Sequence, residues 1–130
     1  MPYEDKILIV DDVAVMRELL KSMLVAHGYE DVDFAASGEE AIERIQQQQY
    51  PIITLDINMP GISGLKTLQK IKALDPDVFV VMVSSHSSAE NVKQAIVCGV
   101  DGFIAKPYND KKISEFLDKY RKLHAVQEEV

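Results

Sequence analysis

Ile52-Ile53-Thr54-Leu55-Asp56-Ile57-Asn58-Met59-Pro60-Gly61 ends an apolar run on an acid and follows it at once with turn residues. A short run of this kind, rich in Ile and lacking clean polar alternation, is the pattern of a strand buried on both faces, as a parallel sheet requires. Three further runs repeat the arrangement. Ile7–Val10 leads into Asp11 and Asp12, Val78–Val83 into Ser84, and Phe103–Ala105 into Lys106. As neighbouring parallel strands they would bring three carboxylates, a hydroxyl and an ammonium to one carboxyl edge, where open α/β sheets place their ligands.

Working outward, strands are expected at Lys6–Val10, Val32–Ala35, Ile52–Asp56, Val78–Val83 and Gly102–Ala105. Between them run segments of helical period. Met16, Leu19, Leu20, Met23 and Leu24 mark one apolar face; Ala41, Ile42 and Ile45 a second; Leu65, Leu68, Ile71 and Leu74 a third. Val92, Ala95 and Ile96 mark a fourth, and Ile113, Phe116, Leu117 and Tyr120 a fifth. Ser37 with Glu40, and Ser87 with Glu90, have the spacing of capping boxes. Gly28 and Gly99 stand where left-handed helix C-caps belong. Pro51 and Asp75-Pro76-Asp77 punctuate the approaches to strands three and four. The expected fold is therefore α/β: a doubly wound, five-stranded parallel sheet with five helices, right-handed crossovers covering both faces. A flavodoxin-like order, 2-1-3-4-5, would set Asp11, Asp12 and Asp56 across the crevice where the winding reverses.

The 130 residues suit a single domain, with a core over about 5–123 and a short polar C-terminal tail. An apolar content of 47% can build a core, and 14 basic against 21 acidic residues leave a net charge of −7. That balance argues against a nucleic-acid partner, whose phosphates need a basic footprint. Lys111, Lys112, Lys119, Arg121 and Lys122 read as a solvated helix face, and Gln46–Gln49 as a solvated helix end. The single cysteine, Cys98, allows no internal disulfide and reads as a small core residue at a helix end. With no signal-like segment and no apolar stretch of membrane-spanning length, a cytoplasmic protein without membrane insertion is expected. His27 reads as support for the end of the first helix and His124 as a tail residue.

Two unit charges roughly 5 Å apart interact by about 3 kcal/mol at an effective dielectric near 20. Three clustered acids therefore repel one another, and a divalent cation removes the conflict; magnesium favours hard carboxylate and phosphate oxygens. Taken alone, Asp11 and Asp12 could simply cap the following helix. With Asp56 and Lys106 at equivalent strand ends, a cation-binding acidic pocket is the stronger reading. An aspartate can also act as a nucleophile on phosphorus, and phosphoryl transfer asks chiefly for positioning and charge neutralisation. Lys106 and Ser84 are suited to bond the transferred oxygens.

Val10-Asp11-Asp12, Leu55-Asp56-Ile57-Asn58-Met59-Pro60 with Gly64, Val83-Ser84-Ser85, and Phe103-Ile104-Ala105-Lys106-Pro107 resemble, in order and spacing, the motifs of bacterial response-regulator receiver domains. The resemblance implies that Asp56 is the phosphoacceptor of a two-component phosphorelay, supplied by a histidine kinase. Asp12, Asp56 and the backbone carbonyl of Asn58 would ligate Mg2+, Asp11 assisting through water. Lys106 would contact the phosphoryl group, and the Lys106–Pro107 bond would be cis. Ser84 would be the switch hydroxyl and Phe103 the aromatic that rotates into the space it vacates, reshaping the face of helix four, strand five and helix five for a partner; an ordinary core phenylalanine is the alternative for Phe103. Asn58 and His86 would line the path of attacking water and set the lifetime of the aspartyl phosphate.

Ser84 stands where threonine is frequent in that family, Ser85 is bulkier than the usual neighbour, and Phe103 lacks a tyrosine hydroxyl. The reading is a stand-alone receiver, monomeric or weakly dimerising on phosphorylation, that catalyses only its own phosphorylation and dephosphorylation. No DNA-binding extension is expected after the fifth helix. Met16-Arg17 after the acidic pair and the single-domain length favour chemotaxis and a flagellar motor switch as partner. A non-motility receiver and a phosphate sink share the same chemistry. A small Mg-dependent phosphohydrolase with an aspartate nucleophile is the rival from another class, but Asn58 occupies the place of its general acid. A dinucleotide-binding module is weaker still, since Asp11-Asp12-Val13-Ala14-Val15 offers no glycine to cradle a phosphate.

Overall fold

The computed structural model describes residues 3–57, 64–84 and 89–128, with side chains at all of these except 89–91 and 124–128. In chain order its elements are β1 (Ile7–Val10), α1 (Ala14–Ala26), β2 (Val32–Ala35), α2 (Gly38–Gln47), β3 (Ile52–Asp56), α3 (Gly64–Leu74), β4 (Phe79–Ser84), α4 (Ala89–Val97), β5 (Gly102–Ala105) and α5 (Asp110–Glu128). The strands form one sheet in the order β2-β1-β3-β4-β5, every neighbouring pair parallel. This is the flavodoxin-like order the sequence suggests, and it turns all five carboxyl ends to one edge.

Alternation along each strand divides the core in two. Ile7, Ile9, Ile52, Phe79, Val81 and Ile104 pack with Leu20 and Leu24 of α1 and with Ile113, Phe116, Leu117 and Tyr120 of α5. Leu8, Val10, Ile53, Leu55, Val80 and Met82 face Ala41 of α2, Leu68 and Ile71 of α3, and Ala95 of α4. Each large apolar side chain fully buried this way contributes about 1.5–3 kcal/mol, so the two layers hold the sheet edge rigid beneath the site. Gly28 and Gly99 end α1 and α4 at φ 95° and 90°, as expected of left-handed caps. Ser37 accepts from the Glu40 amide at 3.1 Å, and the Glu40 carboxylate reaches back to the Ala36 amide. Ser87 lies outside the described residues, so the second capping box is not described.

Several boundaries and faces differ from expectation. β4 begins at Phe79 because Val78 is drawn into the preceding turn, its amide donating to the Asp75 carbonyl. It ends on Ser84 because Ser84 pairs with Ala105. Leu19, Leu74 and Ile96 carry helical period but are exposed; period marks a stripe wider than the neighbours cover. α5 continues to Glu128, past the expected end of the core. Gln48 is exposed yet bonds Tyr50 Oη, Asp33 and Lys6. His27 does cap α1, and its ring pairs with Asp110 at 2.8 Å. Three of the α5 cations are tied down as well. Lys112 and Lys119 donate to the Ala105 and Asp101 carbonyls, and Arg121 lies over Tyr3.

Candidate functional site

Asp11 extends the β1 ladder by one step, its amide donating to the Ala35 carbonyl at 3.1 Å. Its Oδ1 accepts the Val13 amide at 2.9 Å, which turns the chain into α1. Asp12 follows, exposed at the rim. Asp56 closes β3 in register with Val83. Across β4 and β5, the Lys106 amide donates to the Ser84 carbonyl at 2.7 Å, and the Lys106–Pro107 peptide is cis. The Lys106 ammonium reaches Asp11 Oδ2 at 3.1 Å and Asp56 Oδ2 at 3.4 Å. Carboxylate oxygens of Asp11, Asp12 and Asp56 lie within 4.8 Å of one another. Asp11, Asp12, Asp56 and Lys106 are thus gathered as one group, and Ser84 stands on the neighbouring strand, fully buried.

The electrostatics follow from burial. Asp11 and Asp56 expose 2% and 5% of their side chains, so their charges are poorly solvated. Three carboxylates this close repel one another, and the Lys106 ammonium meets two of them, Asp11 and Asp56. Burial works against the Lys106 charge, but bonds and fields from Asp11 and Asp56 outweigh it and raise its pKa above the ordinary lysine value. Tyr108, beyond the cis bond, is raised by burial and then by Asp11 and Asp56, so it stays a neutral phenol. A cluster of three carboxylates offering hard oxygen donors at this spacing fits a divalent cation such as Mg2+.

Phe103 pairs in register with Met82, and Ala105 with Ser84, so Phe103 and Ser84 belong to one face two residues apart along the sheet. Phe103 is half-buried against the α2–α3–α4 core. Asn58, Ser85 and His86 lie outside the described residues. The sequence marks Gly64 as part of a motif and Arg17 as following the acidic pair, but not what either touches, and it does not mark Tyr108 at all. Gly64 abuts the end of β3: a Cβ there would sit 2.3 Å from Ile57 Cα and 2.6 Å from the Asp56 carbonyl oxygen. Arg17 donates from Nη1 to the Asp11 main-chain carbonyl at 2.7 Å. Tyr108, packed against the α1–α5 core layer, lies within the fields of Asp11 and Asp56. Neither a close backbone approach nor a side chain reaching back to a carbonyl leaves a periodic signal.

The model of the response regulator receiver domain family matches residues 7–118. The chemotaxis protein CheY of Thermotoga maritima is 35% identical over 117 residues, spanning 90% of this chain and 98% of that protein. Among solved structures, the response regulator protein TrrA of T. maritima in complex with Mg2+ and BeF is 34% identical with a TM-score of 0.80, covering 89% of this chain and 98% of that one. The CheY of the CheX–CheY–BeF3–Mg2+ complex from Borrelia burgdorferi is 31% identical with a TM-score of 0.83, covering 87% and 86%. Among the described residues, no helix is long and apolar enough to cross a membrane.

Proposed function

Because this chain belongs to the response regulator receiver domain family, we propose that Asp56 accepts a phosphoryl group from a histidine kinase, with Mg2+ alongside, and that phosphorylation alters a protein-binding face made by α4, β5 and α5. The observation that carries this reading is Lys106 shared between Asp11 and Asp56 within a cluster of three acids. Asp11, Asp12, Asp56 and the Asn58 carbonyl are the groups to hold Mg2+, which when bound neutralises charge on the phosphoryl oxygens. An Asp56 Oδ attacks phosphorus while the donor's P–N bond breaks, and its electron pair leaves on the imidazole nitrogen. Lys106 turns from the carboxylates to a transferred oxygen, keeping its charge throughout.

Ser84 is the hydroxyl that bonds the phosphoryl group, and Phe103, one step along the same face, is the aromatic that responds. Switching a two-state element from 1:99 to 99:1 takes about 5.5 kcal/mol, within reach of a few charge-assisted hydrogen bonds of about 1.5–3 kcal/mol each. Asn58 and His86 set the lifetime of the phosphate. The receiver works in the cytoplasm, catalysing only its own phosphorylation and dephosphorylation. Its chemotaxis-protein relatives support a role in chemotaxis; the output of this reading is a motor-switch-type protein, with neither nucleic acid nor membrane as target. The test is labelling by a histidine kinase with Mg2+: wild type takes the label, Asp56→Asn does not, and an Asp56→Asn protein labelled at the wild-type rate overturns the reading.

A further inference from the structure

The segment joining β1 to α1 carries two of the three acids, yet α1 starts without the usual support. Its N-cap, Val13, has no side chain to bond the first turn, and no acid lies in that turn. The support comes from one turn further on. Arg17, half-buried, folds back so that Nη1 donates to the Asp11 carbonyl at 2.7 Å. Its guanidinium lies over the Phe34 ring of β2, 5.7 Å from the centroid, and Lys21 covers the same ring at 5.6 Å. The Asp11 amide is bonded to Ala35, the residue after Phe34. Asp11 is therefore held at its amide by β2, at its carbonyl by Arg17, and at its carboxylate by Val13 and Lys106. Among the described residues no such bond holds the Asp12 carboxylate, so its direction is set by the clamped backbone on either side.

We propose that Arg17 is a positioning residue for the acidic site. Held on Phe34, it fixes the Asp11 carbonyl and so aims Asp11 and Asp12 at a shared divalent cation. The inference rests on the reading of that cluster as a Mg2+ site, and it differs in sign from a plain charge effect. As a nearby cation, Arg17 would repel Mg2+, and its removal would tighten binding; as a clamp, its removal weakens binding.

Arg17→Met keeps the stem against Phe34 and removes the donors. Mg2+ affinity is measured by amide chemical shifts in a titration, and stability separately by thermal melting in EDTA. Arg17→Met is expected to bind Mg2+ about tenfold more weakly, the usual scale for losing a group that orients a metal ligand, and Arg17→Lys to recover part of the loss. Phe34→Leu, which leaves every acid and Arg17 in place, is expected to weaken binding about two- to fivefold, and it decides the matter where Arg17→Met does not fold. Wild-type or tighter affinity in Arg17→Met, with only the melting temperature lowered, overturns the proposal and leaves the Mg2+ site standing. A wild-type protein that fails to bind Mg2+ overturns both.

Discussion

Lys106→Met removes a cation shared by two buried acids and keeps most of the side-chain volume. At 3.1 and 3.4 Å, each contact carries about 5 kcal/mol of attraction at an effective dielectric near 20. Much of this offsets the cost of burying the charges, so the net effect is smaller. Stripping one partner from a buried ion pair costs about 3–5 kcal/mol, a large share of the ~5–15 kcal/mol that holds a domain together. Urea unfolding in EDTA, followed by circular dichroism, should show that loss with an unchanged denaturant slope. Saturating Mg2+ then separates a charge effect from a packing defect. Wild type should gain about 2.7 kcal/mol at a hundredfold excess over the dissociation constant. Lys106→Met should gain more, because three carboxylates freed of their ammonium hold a dication more tightly. A variant within about 0.5 kcal/mol of wild type, or one that gains no more from Mg2+ than wild type, refutes this account of the site.

Gly64→Ala would press a Cβ to 2.3 Å from Ile57 Cα, where carbon atoms at rest stand roughly 3.5–4 Å apart. The end of β3 must give way, at a cost of about 1–3 kcal/mol and with weaker Mg2+ binding; an unaltered melting curve and titration would contradict the packing described. Ser37→Ala removes the acceptor of the Glu40 amide and should cost about 1 kcal/mol in urea unfolding, leaving Mg2+ binding unchanged. At high pH, burial raises the pKa of Tyr29, Tyr50, Tyr108 and Tyr120, and Asp11 and Asp56 raise that of Lys106 against its burial. A raised folded pKa contributes stability that is whole below the unfolded value, about 10 for tyrosine and 10.4 for lysine, and is lost as pH climbs through the folded one. Stability from these groups should hold to about pH 10 and then fall, with tyrosinate absorbance rising together with unfolding. Absorbance showing all five tyrosines ionised at about pH 10 in a still-folded protein would rule this out.

The sequence by itself determined the elements and their layering. Ile52–Asp56 is a strand at the bounds its composition suggests, because burial on both faces is written as a nearly continuous apolar run. Val32–Ala35 and Gly102–Ala105, only partly buried at the two edges of the sheet, also keep the expected bounds. It also determined that Asp11, Asp12, Asp56, Ser84 and Lys106 reach one edge, since parallel strands point one way and each residue ends or follows a strand. Only the tertiary structure decided the rest. Lys106 divides itself between Asp11 and Asp56, Arg17 holds a carbonyl six residues back, and Gly64 fills a space with no room for a methyl group. β4 slides by one residue under the pull of Asp75 at one end and Ala105 at the other, and Ile96 stays exposed on a face its spacing would have buried. The physical reason is range. Periodicity and capping act within a turn or a strand, whereas contacts at 3 Å between residues far apart in the chain depend on how every layer beneath them has packed.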